Sequence, residues 1–127
     1  MPTDDVQEEL EYLEETLEDY ERFIKQIGTN GLSANLLLYH RDDIQEILQS
    51  LEGEVDLRPH WIKVARLDSQ LRDRAALFVE EVGRKNLQQC RIVLDPPKLH
   101  WWWYLDQTLP KPVKKGLFEG VKEWLNR

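Results

Sequence analysis

The chain has 127 residues, 41% of them apolar and 32% charged, with a formal net charge of −7. That length lets one compact domain bury a working core without disulfides or metal, and the apolar share excludes a disordered chain. Cys90 is the single cysteine, which excludes an internal disulfide and predicts a small apolar residue in a protein made in a reducing, cytoplasmic compartment.

The first twenty residues are acidic, unlike a secretory signal, and no apolar run approaches the roughly 18 residues of a membrane span. Ten acidic residues and no basic one lie between Asp4 and Glu21, so the remainder carries 17 basic against 14 acidic groups. The basic excess gathers between Arg58 and Arg91, so an acidic first helix can lie beside a basic later one. Nucleic acid is a poor candidate partner, because the acidic arm repels phosphates and aromatics do not interleave with the basic residues.

From Val6 to Ile27 a heptad stripe runs through Val6, Leu10, Leu13, Leu17, Tyr20, Ile24 and Ile27. Such a seam must be covered by another helix, of the same chain or of a second copy. The spacing predicts a first helix over residues 4–28, started by Thr3 or Asp4 and ended by Gly28 to Gly31. A second helix over 33–52, capped by Ser33, carries Leu37, His40, Ile44, Ile47 and Leu51, widened by Leu36 and Leu48. His40 on that stripe is expected to be a hydrogen-bonded boundary residue, and Asp42, Asp43 and Glu46, without the glycine-punctuated loop of a calcium site, are expected to face solvent.

Pro59 suits the first turn of a third helix over 59–94, with Trp61, Val64, Leu71, Ala75, Phe78 and Val82 facing inward. Asp68 falls at a core position of that stripe; with Leu67 beside it, the expectation is an offset face and not a buried charge. Gly83 makes a kink, or a break between Gly83 and Asn86, after which Leu87, Cys90 and Leu94 resume helical spacing. Asp95, Pro96 and Pro97 end the element. A short amphipathic helix over 113–126, with Leu117, Val121, Trp124 and Leu125 on one side, is marginal alone and must dock on something.

Between these helices lies the one unusual stretch, His100, Trp101, Trp102, Trp103 and Tyr104. Three consecutive tryptophans cannot all face one core from a regular α-helix or strand. Three roles fit: an extended segment crossing the bundle and closing its open end, an exposed patch for a protein partner, or a membrane-surface anchor helped by Lys111, Lys114 and Lys115. The sequence DPPKLHWWWYLDQTLP, residues 95–110, resembles the proline- and tryptophan-rich stretch of large uncharacterised cyanobacterial membrane proteins. There it lies between a helical amino-terminal part and later hydrophobic spans. The resemblance implies an amino-terminal domain of a longer protein with its tryptophans near a bilayer, and it brings no catalytic residues.

No catalytic constellation, metal-ligand spacing or phosphate-cradling loop is present, and no cofactor is expected. The expected fold is all-α: an antiparallel three-helix bundle with a coiled-coil-like first helix, a Trp-rich extended crossing segment and a short terminal helix, in a single domain. The function expected is protein interaction or scaffolding, through a protein partner or a homodimer paired along the first helix. A hydrolase or small-ligand regulatory domain with a pocket at the Trp-rich segment is the competing class.

Overall fold

The computed structural model describes residues 4–29 and 34–109. It is all-α, with no strand among the described residues. The helices are α1 (Asp4–Lys25), α2 (Ala34–Ser50), α3 (Arg58–Asp73), α4 (Ala75–Val82) and α5 (Arg84–Leu94), followed by a 3-10 helix (Trp101–Gln107). The expected caps Thr3 and Ser33 and the expected helix over 113–126 lie outside the described residues.

The seam of α1 turns inward: Leu13, Leu17, Tyr20, Ile24 and Ile27 are buried, while Val6 and Leu10 are half-buried against the same core. Helix α2 supplies most of the cover and α3 the rest. Across the α1–α3 boundary Arg66 lies 3.5 Å from Glu21, so the acidic and basic helices do meet. Helix α2 buries Leu37, Leu38, Ile44 and Leu48, and Leu51 just past its end is buried too. Its face is therefore rotated from the expected one: Leu36 is exposed and Ile47 only half-buried, while Leu38 is fully buried in the core.

The expected third helix over 59–94 is three helices. At Arg74 the backbone leaves helical geometry (φ −104°, ψ 11°), and its amide hydrogen-bonds to the carbonyls of both Gln70 and Leu71. The distortion has a partner. Arg74 Nη1 donates to the carbonyl of Ile24 at 2.6 Å, beside the Ile27 amide that bonds to the same oxygen at 3.2 Å, placing a cation at the negative carboxyl end of α1. Glu81 on α4 closes the same end by accepting the Gly28 amide at 2.7 Å. The second break is sharper: Gly83 sits at φ 91°, ψ 135°, a region essentially closed to side-chain-bearing residues. It turns α5 away from α4, and α5 ends at Asp95 in the left-handed conformation (φ 44°).

Two expectations on this stretch are corrected. Trp61 is 42% exposed, because the buried face of α3 runs through Val64, Leu67, Asp68 and Leu71 and leaves the first turn outside. Asp68 is a buried charge, 7% exposed, held there by a cation from α2.

The Trp-rich segment is also corrected, from extended to 3-10 helical. A kink at Tyr104 (φ −116°, ψ 21°) joins two short 3-10 turns, and residues three apart still share a side. Trp102 and Leu105 form one buried ridge and Trp103 with Asp106 a second, while Trp101 and Tyr104 form the half-exposed third. Consecutive tryptophans enter one core here because the helix packs against α2, α4 and α5 and is covered on two of three sides.

Candidate functional site

Two polar networks meet under the aromatic turn. In the first, each of three apolar stripes contributes one polar residue: Tyr20 from α1, Arg41 from α2 and Asp68 from α3. Arg41 clasps Asp68 through both carboxylate oxygens, Nε to Oδ1 at 2.9 Å and Nη2 to Oδ2 at 3.1 Å. Its remaining terminal nitrogen donates to Gln45 at 3.2 Å. Tyr20 donates its hydroxyl proton to Asp68 Oδ1 at 2.7 Å. Burial, and then the Asp68 charge, pushes that hydroxyl far above the ordinary tyrosine range. The Trp102 ring covers the other side of the guanidinium, 4.2 Å from Arg41 Cζ to the ring centroid.

The second network centres on Asp42, the next residue of α2. Asp42 Oδ1 accepts the Trp102 indole N–H at 2.7 Å and the Trp103 indole N–H at 2.9 Å. His100 stacks on Trp102 with centroids 4.6 Å apart, its Nδ1 3.6 Å from the same oxygen. Asp42, expected to face solvent, is thus the acceptor that lets two indoles be buried without an unpaired N–H. Asp43 and Glu46 have no such role, although Tyr12 reaches Asp43 at 3.4 Å. His40 is a boundary residue, bonded through Nδ1 to the Leu36 carbonyl at 2.8 Å and edge-on to Phe23.

Helix α5 grips the turn from the opposite side. Arg91 holds buried Asp106 at 2.6 and 3.0 Å and also donates to the Trp103 carbonyl at 2.9 Å. Arg84 donates to the Asp106 carbonyl at 2.8 Å, and Tyr104 donates its hydroxyl proton to the Pro96 carbonyl at 2.5 Å. Trp101, the half-exposed ring, carries Arg72 of α3 at 3.9 Å over its face. Four arginines and one aspartate from three helices therefore fasten Trp101, Trp102, Trp103 and Tyr104 in place.

These groups are spent on one another, so they offer no free acid, base or nucleophile to a substrate. Cys90 is half-buried, its Sγ 3.9 Å from Asn86 Oδ1. Among the described residues no cluster of three histidines, cysteines or carboxylates could hold a metal, and no helix is long and apolar enough to cross a membrane.

The aromatic turn leaves its apolar exposure next door. Ile92 and Val93 at the end of α5 are each 81% exposed and Leu99 is 88% exposed, with Leu94 partly so. Beside them runs an open groove of about 440 Å³ lined by Gln88, Arg91, Ile92, Asp95 and Tyr104. Sequence reasoning fixed on the tryptophans and missed this ridge. Its only signal was Ile92, Val93 and Leu94 in succession, since consecutive apolar residues on one helix turn cannot all face inward. Comparison of the chain with protein-family models, with curated proteins and with solved structures finds no match.

Proposed function

We propose that this chain is a protein-interaction domain whose contact surface is the end of α5 and the turn after it, with the aromatic segment as its internal brace. The observation that carries the reading is the exposure of Ile92, Val93 and Leu99 on a stretch held rigid by Arg91, Tyr104 and the Asp95 cap. Aliphatic side chains displayed on a preorganised frame lose little conformational freedom when covered, which favours binding.

The partner that fits is a protein segment with apolar anchors and acidic flanks. Lys98 stands exposed at this end of the fold, and the groove beside Ile92 offers Gln88 and Asp95 for directional hydrogen bonds. Asp95 within the patch and the acidic face of α1 count against an anionic lipid surface. The α1 seam is a weaker candidate for pairing two copies, since five of its seven residues are covered within the chain. A hydrolase reading finds no support in the groove, whose arginine and tyrosine are already engaged.

The test is affinity capture from cell extract with three baits: the native chain, Ile92→Asp/Val93→Asp, and Leu36→Asp as a control at an exposed apolar site elsewhere. The expected result is a protein retained by the native and control baits and lost with the double variant, all three melting alike. Retention indifferent to the double change would overturn the proposal, as would co-sedimentation with anionic vesicles as the only ridge-dependent binding.

A further inference from the structure

A second apolar concavity lies at the other end of α5. It is an open cleft of about 720 Å³ in the elbow that Gly83 makes between α4 and α5, lined by Ala76, Val79, Gly83 and Leu109 with Glu80, Arg84 and Lys85 around it. Leu109 is the last described residue before the carboxyl-terminal stretch, so the chain leaves the described fold from the wall of this cleft. Four residues further on begins the amphipathic pattern of Val113, Leu117, Val121, Trp124 and Leu125. Four residues span at most about 14 Å, so the pattern starts within reach of the cleft.

The geometry points to the occupant of this cleft being the chain's own segment Val113–Leu125, docked in cis as a helix with Leu117 and Val121 against Ala76 and Val79. Spacings of four residues place Val113, Leu117, Val121 and Leu125 along one side of a helix. Gly116 and Gly120 weaken that helix in isolation, so it needs an apolar surface to form on. The short tether makes the encounter intramolecular, which favours this segment over any free peptide of the same sequence. The charges also match: Lys114 and Lys122 flank one edge of the apolar stripe and Glu123 the other, so the lysines can meet Glu80 and the glutamate Lys85. Ala76 is exposed and open to a larger side chain, while Val79 is already in the core. The cleft and the Ile92 ridge occupy opposite ends of a helix about 16 Å long, so the two proposals stand or fall separately.

Hydrogen exchange of the full chain, read by mass spectrometry on peptides covering 113–125, decides it. The native chain is expected to protect these amides at least about tenfold over the rate for an unstructured peptide, independently of protein concentration. Ala76→Glu, which fills and charges the cleft, and separately Leu117→Asp/Val121→Asp, should each remove that protection while leaving α1 and α2 amides unchanged. Absent protection in the native chain, or protection that survives Ala76→Glu, overturns the proposal. Protection that grows with concentration also overturns it, and assigns the cleft to the tail of a second copy.

Discussion

Asp68→Ala is the sharpest probe of the three-helix polar layer. The Arg41 and Asp68 side chains are 4% and 9% exposed, so the alanine leaves a guanidinium with little water to replace its lost carboxylate. Removing one member of a buried pair costs about 3–5 kcal/mol. Gln45 and the Trp102 ring still meet the cation, at 3.2 and 4.2 Å, which places this case near the lower end. The Tyr20 hydroxyl also loses its acceptor, adding about 1 kcal/mol. The expected total is about 4 kcal/mol, which at a urea slope of about 2 kcal/mol per molar lowers the unfolding midpoint by about 2 M. Replacing all three groups with apolar ones, Tyr20→Phe/Arg41→Met/Asp68→Leu, should restore stability to within about 1 kcal/mol of the native chain, because no charge is then stranded. A single variant within 1 kcal/mol of native, or a triple variant as unstable as the single one, would refute this account of the layer.

Thermal melts of the tryptophan series should split. Trp102→Ala and Trp103→Ala each remove a buried ring and cost about 3–5 kcal/mol, whereas Trp101→Ala loses a half-exposed ring and its Arg72 contact for about 1 kcal/mol. Gly83→Ala should cost about 1–3 kcal/mol by urea unfolding through backbone strain alone, since nothing lies within 4 Å of the added Cβ. The raised Tyr20 pKa has a signed consequence in alkali. The folded chain holds that proton more tightly than the unfolded one, so its contribution is complete below the ordinary value of 10.0 and is lost as pH rises above it. Native stability should therefore fall by about 1.4 kcal/mol per pH unit more steeply than that of Tyr20→Phe in this range, followed by circular dichroism. Equal slopes would mean the hydroxyl is hydrated in the folded state.

Local pattern determined much of this protein. A four-three stripe needs only helical periodicity and apolar side chains, so the all-α class, α1 and its buried residues from Leu13 to Ile27 were legible, as was the stop at Asp95. The breaks at Arg74 and Gly83 were less so. A glycine can be seen in a sequence, but whether it bends a helix depends on what the bent halves then touch, and Arg74 distorts to reach a carbonyl fifty residues earlier.

The polar groups mark the limit most clearly. Arg41 falls on a stripe with Leu37, Ile44, Leu48 and Leu51, and Asp68 on one with Val64, Leu71, Ala75 and Phe78, each a single charge in an apolar row. Opposite signs at mid-row hinted at a pair, yet a charge is buried only if its partner arrives at hydrogen-bond distance, and no local property reports that arrival. The same holds for Asp42, which looks like any solvated helix carboxylate until two indole N–H groups converge on it. Tertiary structure alone decided that the tryptophans brace the fold and that Ile92, Val93 and Leu99 remain outside, because burial is a property of how the helices assemble and periodicity fixes only which side of each helix is eligible.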